Sequence, residues 1–127
     1  MTTSHPPAFT LTVEVQPAAL VIRVAGDLDH ETCDELMRTV DQYLLAPQDP
    51  GRRFRELRVD FAALGSIDSM GLSTLLMIRR RTDAAGLCLY LDQRPRGMDR
   101  LLEITGTLEH LTALREESDG ERSPGAG

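Results

Sequence analysis

The chain has 127 residues, which is enough for one domain with a single hydrophobic core. Its formal net charge of -6 at pH 7 argues against a nucleic acid or an anionic membrane as a partner, because both usually require a concentrated basic surface. Aromatic residues make up only 4% and Trp is absent, so Leu, Val, Ile and Met must form the core.

No apolar run approaches the roughly 18 residues that a membrane-spanning helix needs, and the N-terminus has no signal-peptide pattern. The two cysteines, Cys33 and Cys88, form no C-x-x-C pair, and each stands where a small apolar residue suits a helix or a strand. We therefore expect a cytoplasmic protein with two buried free thiols and with neither a metal nor a cofactor.

Two strands open the predicted fold. After a flexible leader at residues 1–7, residues 9–15 and 19–24 are rich in Thr, Val, Leu and Ile, and residues 16–18 offer a turn. Strands joined this tightly pair antiparallel.

A helix is predicted from Thr32. Thr32 with Glu35 matches a capping box, Asp29 is a second candidate cap, and Pro47 and Pro50 end the helix. Residues 55–61 then alternate apolar and polar side chains as a strand. The apolar stripe of the helix consists of Cys33, Leu36, Met37, Val40 and Leu44.

A second helix is predicted from Ser69 to Gly86, and its three arginines at 79–81 are expected to be solvated because they point in different directions. Residues 87–91 are typical of a strand covered on both faces. A third helix opens at Pro95 and closes at Gly106, and residues 110–114 offer a short last strand. One face of the second helix is predicted to carry three leucines and one arginine, namely Leu72, Leu75, Leu76 and Arg79.

This order predicts an α/β fold with a mixed, mostly parallel sheet of four to five strands, an antiparallel edge hairpin and about three helices. Residues 8–114 form the single domain, and residues 115–127 are expected to be a disordered acidic tail.

The segment 64–72, Leu-Gly-Ser-Ile-Asp-Ser-Met-Gly-Leu, joins a predicted strand to a predicted helix, where α/β proteins bind their ligands. Within it, Asp68-Ser69-x-Gly71-Leu72 resembles the D-S-x-G-L phosphorylation motif of the anti-sigma-factor antagonists, the STAS family of sporulation and general-stress regulators. A second block at residues 26–32, Gly-Asp-Leu-Asp-His-Glu-Thr, is similar to the family's G-[ED]-L-D-x-x-T signature. The resemblance covers roughly residues 8–114 and implies a STAS fold.

The resemblance implies that Ser69 is the phosphoacceptor of an anti-sigma factor that is itself an ATP-dependent serine kinase. The unphosphorylated antagonist would bind this kinase and free the sigma factor, phosphorylation would release it, and a phosphatase would reset the cycle. No residue is expected to be catalytic, and no small-molecule substrate is expected. The partner-binding residues are expected to be Asp27, Asp29, Asp68, Ser69, Met70, Gly71 and Ser73.

Several of these residues also have a plainer structural interpretation. Ser69 suits an ordinary N-cap, and Asp27 and Asp29 suit a polar turn with a helix cap. Close approach of a partner or of neighbouring backbone would explain Gly71 in a first helical turn. Met70, Ser73 and Met77 form a stripe that is either core filler or an adaptable docking surface.

The chain departs from the family pattern in two places. Relatives often have Ser or Thr where Met70 stands, and a small residue where Ser73 stands. The chain is also expected to end after its last strand, with the acidic tail in place of the final helix that many relatives have.

Two rival functions follow from the same residues. The first is a non-switching STAS scaffold, or a subunit of a larger signalling or transport assembly, in which Ser69 is only a cap. The second is a serine hydrolase, which the sequence disfavours because no glycine stands two residues before Ser69. The contexts of His5, His30 and His110 also suggest no general base.

Overall fold

The computed structural model describes residues 9–44 and 54–112. The predicted leader at 1–7, the helix-ending prolines at 47 and 50, and the predicted tail at 115–127 lie outside these residues. The described residues form four strands and four helices, namely β1 (Phe9–Val15), β2 (Ala19–Leu28), α1 (Cys33–Leu44), β3 (Glu56–Ile67), α2 (Ser69–Ala85), β4 (Cys88–Asp92), α3 (Arg96–Ile104) and α4 (Leu108–Thr112).

The strands form one sheet in the order β1-β2-β3-β4. β1 and β2 pair antiparallel, joined by a turn in which the Gln16 N–H donates to the Ala19 carbonyl at 2.8 Å. β2 pairs parallel with β3, and β3 pairs parallel with β4. The predicted mixed α/β sheet with an antiparallel edge hairpin is therefore confirmed.

The two faces of the sheet differ because apolar and polar side chains alternate along each strand. In β3, Leu57, Val59 and Phe61 are fully buried, whereas Arg58 and Asp60 lie on the opposite face. The helices pack on the apolar face, and the resulting core is aliphatic apart from the Phe61 ring and Cys33. An aliphatic core was predicted from the composition.

Ion pairs cover the other face of the sheet. Arg23 pairs with Glu14 at 2.9 Å, and Arg58 pairs with Asp92 at 3.1 Å while its guanidinium stacks 4.1 Å from the centre of the Tyr90 ring. The hydrogen bond to Asp92 raises the pKa of Arg58. These charged side chains make the second face polar over the described strands.

Two predicted strands are corrected by the structure. In the sheet of described strands β4 lies at the edge, with Leu89 and Leu91 buried on one face but Cys88 and Tyr90 only half-buried on the other. The predicted last strand at 110–114 is wrong over its described part, because residues 108–112 form α4 and pack against β4. The physical reason is the helical spacing of Leu108 and Leu111, which gives one apolar face and lets Leu111 be fully buried.

α4 follows α3 and brings the helices of the described residues to four, one more than predicted. The expected acidic tail in place of a final helix lies outside the described residues. The end of α2 was predicted correctly. Gly86 follows Ala85 with φ +80°, a left-handed conformation that glycine adopts without strain.

The arginine run is less solvated than predicted. Arg79 is only 9% exposed and pairs with Asp83, and Arg81 bonds the Asp41 carboxylate of α1 at 2.8 Å. This hydrogen bond raises the pKa of Arg81. Arg80 is exposed, and Arg81 links α2 to α1 while its side chain stays partly in solvent. Of the two free cysteines, Cys33 is buried as predicted and Cys88 is half-buried.

The Phe61→Ala variant should lose about 3–5 kcal/mol of unfolding free energy, because the truncation leaves a cavity in a fully buried site. Urea denaturation measures the loss. Ile104→Ala is the control, since Ile104 is 74% exposed and its truncation should change stability by less than about 0.5 kcal/mol. Equal losses in the two variants would contradict the position of Phe61 in the core.

Candidate functional site

The two sequence blocks meet at the carboxyl ends of β2 and β3. Both strands are longer than predicted, and their pairing continues through Asp27 with Ser66 and Leu28 with Ile67. Bulges interrupt the register on the way, and at one of them the Asp60 carboxylate accepts the Ala62 N–H at 2.8 Å. Parallel pairing thus places residues 26–32 beside residues 64–72, about 40 positions apart in the chain.

The turn between β2 and α1 is organised by the Thr32 hydroxyl. It accepts the Asp29 N–H at 2.9 Å and donates to the Asp27 carbonyl at 2.8 Å, while the Asp29 carboxylate accepts the Glu31 N–H at 2.9 Å. The predicted capping box is not formed, since the Glu35 N–H donates to the main-chain carbonyl of Thr32. Because the Thr32 hydroxyl makes its hydrogen bonds within the turn, it does not cap α1.

Asp68 is the N-cap of α2, and Ser69 is the first residue of the helix. The Asp68 side chain accepts the Gly71 N–H at 2.9 Å, and the Asp68 N–H donates to the Leu28 carbonyl at 3.2 Å. The interpretation of Ser69 as an ordinary N-cap is therefore wrong. A carboxylate at this position satisfies a free helix N–H and interacts favourably with the helix dipole.

Gly71 lies where α2 approaches the end of β2. A Cβ atom placed on residue 71 would lie 2.6 Å from the Leu28 carbonyl oxygen and 2.8 Å from Ile67 Cγ1. Gly71 is also buried. Neighbouring backbone therefore accounts for the glycine, and its buried position argues against a direct contact with a partner.

The surface beside Asp68 is exposed and partly apolar. Ser69 and Ser73 are exposed, and Met70 and Met77 retain 48% and 41% of their accessible surface. The interpretation of the methionine stripe (Met70, Ser73 and Met77) as core filler is wrong, because the buried face of α2 is formed by Leu72, Leu75 and Ile78. Large exposed apolar side chains at helical spacing are a feature of docking surfaces.

The structure brings most of the predicted site residues onto one surface. Asp27 and Asp68 are exposed, and Asp29 is half-buried in the turn between β2 and α1. Along residues 9–44 and 54–112, no group of three or more His, Cys, Asp or Glu side chains could hold a metal ion. The exposed part of the site contains two serines, Ser69 and Ser73, together with carboxylates and methionines.

Sequence reasoning gave Thr32 a role at α1 and none at this site. The signal for its actual role lies in the block itself, where a hydroxyl follows Asp29 by three residues and can close a turn on it. The sequence contains no signal for the role of the Leu28 carbonyl, because every residue has a main-chain carbonyl.

A family model described as "Mlab, STAS domain" matches residues 11–116. The chain belongs to the STAS domain family. The matched range includes both sequence blocks and every described element except the first residues of β1. The predicted family membership is thus confirmed.

Solved structures share this STAS fold. An anti-sigma factor antagonist from Mycobacterium paratuberculosis has a TM-score of 0.66 and 22% identity, covering 93% of this chain and 94% of that chain. The antagonist SpoIIAA in its unphosphorylated form has a TM-score of 0.63 and 22% identity, covering 79% of this chain and 82% of that chain. SLC26A9 has a TM-score of 0.61 and 17% identity, covering 73% of this chain and 17% of that chain.

At these identities the likeness establishes the fold. The comparison with curated protein sequences found no match. No helix of the part of the STAS domain that the structure describes is both long and apolar enough to cross a membrane.

Gly71→Ala should destabilise the domain by about 1–3 kcal/mol, because the new methyl group would overlap the Leu28 carbonyl. Gly97→Ala is a matched control in α3, since a Cβ there meets nothing within 4 Å and should gain up to about 1 kcal/mol from helix propensity. Thermal melts followed by circular dichroism compare the two. A Gly71→Ala variant as stable as Gly97→Ala would disprove the close contact.

Asp68→Ala should cost about 0.5–2 kcal/mol through loss of the N-cap, whereas Ser69→Ala should cost almost nothing. Asp68→Asn keeps an oxygen that can accept the Gly71 N–H and should recover most of the loss. Urea denaturation of the three variants measures the differences. The assignment of the cap would be reversed by a larger loss in Ser69→Ala than in Asp68→Ala.

Proposed function

We propose that this STAS domain is an anti-sigma-factor antagonist whose binding to an anti-sigma factor is controlled by phosphorylation of Ser69. The observation that carries the proposal is the exposure of Ser69 at the start of α2, inside the D-S-x-G-L motif. The partner is a serine kinase that uses ATP, which places the exchange in the cytoplasm. A phosphatase would restore the binding form.

The Ser69 hydroxyl is available to a kinase. It is exposed, and within residues 9–44 and 54–112 it makes no hydrogen bond. Asp68 supplies the cap of α2 independently of Ser69. A phosphate can therefore be added without removing an interaction that stabilises the helix.

The surroundings of Ser69 explain why a phosphate would oppose docking. A phosphoserine carries about -1.5 to -2 charges, and Asp27 and Asp68 are already exposed on the same surface. Desolvating this cluster against a partner is costly, and a loss of about 1.4 kcal/mol already weakens binding tenfold. The fold itself need not change.

The other members of the site supply the contact area in this proposal. Met70 and Ser73 lie on the same side of α2 as Ser69, and Asp27 and Asp29 lie across from them at the end of β2. Methionine side chains adapt to the shape of a partner, while the carboxylates favour a basic counterpart. Gly71 acts indirectly by letting α2 approach β2.

The site supports binding better than hydrolysis. A nucleophilic serine needs a base within hydrogen-bond reach, whereas the Ser69 hydroxyl makes no hydrogen bond in the described part of the chain. The His30 side chain is exposed in the turn after β2, and its Nε2 atom lies 3.8 Å from the Glu31 Oε2 atom. The proposed role of Ser69 is therefore that of a phosphoacceptor and not of a nucleophile.

A second candidate is a STAS module that docks constitutively in a larger assembly. The likeness to SLC26A9 favours it, because the matched part is only 17% of that chain, so the same fold also occurs inside much longer chains. In that case Ser69 would lie at an interface without being modified.

The unphosphorylated chain should capture a kinase that, with ATP, adds one phosphate to Ser69 and then releases the phosphorylated chain. Ser69→Ala should stay bound in the presence of ATP, and Ser69→Asp should bind at least tenfold more weakly because it carries a negative charge. Affinity capture followed by intact mass spectrometry and calorimetric titration measures these outcomes.

Ser73→Ala is the control for acceptor identity, because Ser73 is an exposed serine one helical turn from Ser69. It should still receive one phosphate. A captured kinase that leaves Ser69 unmodified, with equal binding of Ser69→Ala and Ser69→Asp, would refute the switch and favour the constitutive module.

A further inference from the structure

One peptide unit connects the turn after β2 to the start of α2. The Asp29 N–H of this unit donates to the Thr32 hydroxyl at 2.9 Å, and the Leu28 carbonyl of the same unit accepts the Asp68 N–H at 3.2 Å. In a trans peptide the N–H and the carbonyl point in opposite directions within one plane. Fixing the N–H therefore fixes the direction of the carbonyl.

The Thr32 hydroxyl also holds the preceding peptide unit, because it donates to the Asp27 carbonyl at 2.8 Å. A hydroxyl has one hydrogen and two lone pairs, so it can accept from Asp29 and donate to Asp27 at the same time. Both peptide units that flank Leu28 are thus attached to one side-chain oxygen. The Leu28 carbonyl cannot rotate without breaking one of these bonds.

The first turn of α2 contacts the Leu28 carbonyl. The Asp68 N–H bonds to it, and a Cβ atom on residue 71 would lie 2.6 Å from it. Ser69 lies between these two contacts in the chain. A shift of the Leu28 carbonyl would therefore move the residues on both sides of Ser69.

We propose that Thr32 is a positioning residue of the Ser69 site, whose hydroxyl orients the Leu28–Asp29 peptide and thereby seats the first turn of α2. The inference deepens the proposed function and, as far as phosphorylation is concerned, rests on it. It gives Thr32 a role outside α1, in agreement with the bond from the Glu35 N–H to the Thr32 carbonyl.

Amide hydrogen exchange of the purified chain, followed by NMR, tests the structural part without any partner. Thr32→Val keeps the shape of the side chain and removes the hydroxyl. The Asp68 and Gly71 amides should exchange about tenfold faster in this variant, since their hydrogen bonds open more often. Thr32→Ser restores the hydroxyl and should return both rates to those of the wild type.

Thr39→Val is the matched control, because the Thr39 hydroxyl donates to the Glu35 carbonyl within α1 and not to a residue of the turn. It should leave the Asp68 and Gly71 amides unchanged. Wild-type exchange at both amides in Thr32→Val would overturn the proposal, as would a Thr32→Ser variant as fast as Thr32→Val. If Thr32→Val lacks a cooperative melting transition, Thr32→Ala replaces it with the same criteria.

The kinase captured by the unphosphorylated chain tests the functional part. With ATP, it should phosphorylate Thr32→Val several-fold more slowly than the wild type, and Thr32→Ser should recover the rate. An unchanged rate in Thr32→Val would overturn the role of Thr32 at the site. If the wild-type chain itself receives no phosphate at Ser69, the proposed function fails, while the exchange rates still decide whether Thr32 positions α2.

Discussion

The near contact between the Leu28 carbonyl and residue 71 is the constraint on which the site depends. A side chain at residue 71 would overlap this carbonyl, so α2 can start here only because the position is glycine. The same carbonyl accepts the Asp68 N–H, which fixes where the helix begins. The end of β2 and the start of α2 are thus one structural unit, although they are distant in sequence.

The residues that stabilise the start of α2 are distinct from the serine proposed as the phosphoacceptor. Asp68 caps the helix and Gly71 packs against β2, and the Ser69 hydroxyl makes no hydrogen bond in the described part of the chain. A residue without a structural task can be modified at little cost in stability. This division is what the proposed switch requires, since a reversible phosphate must change binding and preserve the fold.

The features of the two sheet faces are consistent with the proposed position of the partner surface at this edge of the sheet. One face of the sheet is covered by the helices, and the other carries cross-strand ion pairs such as those of Arg23 and Arg58. Exposed methionines occur beside Ser69, where the surface is otherwise acidic. An apolar and acidic surface at the carboxyl ends of the strands suits a protein partner, in keeping with the ligand position in other α/β folds.

The sequence by itself determined the order of elements from β1 to α3, the family and the position of Ser69 within its motif, because these follow from local periodicity and from two short motifs. It could not decide which residue caps α2, what excludes a side chain at position 71 or which groups the Thr32 hydroxyl bonds, since several contacts were possible until the strands were paired. α4 was not predicted because five residues are too few to show a helical period in the sequence. The burial of Leu111 in the core favours the helix, and this burial is visible only in the tertiary structure. Only the tertiary structure shows the contacts at the start of α2, because strand pairing places the Leu28 carbonyl against this helix. Every residue has a main-chain carbonyl, so the sequence cannot indicate which carbonyl makes such a contact.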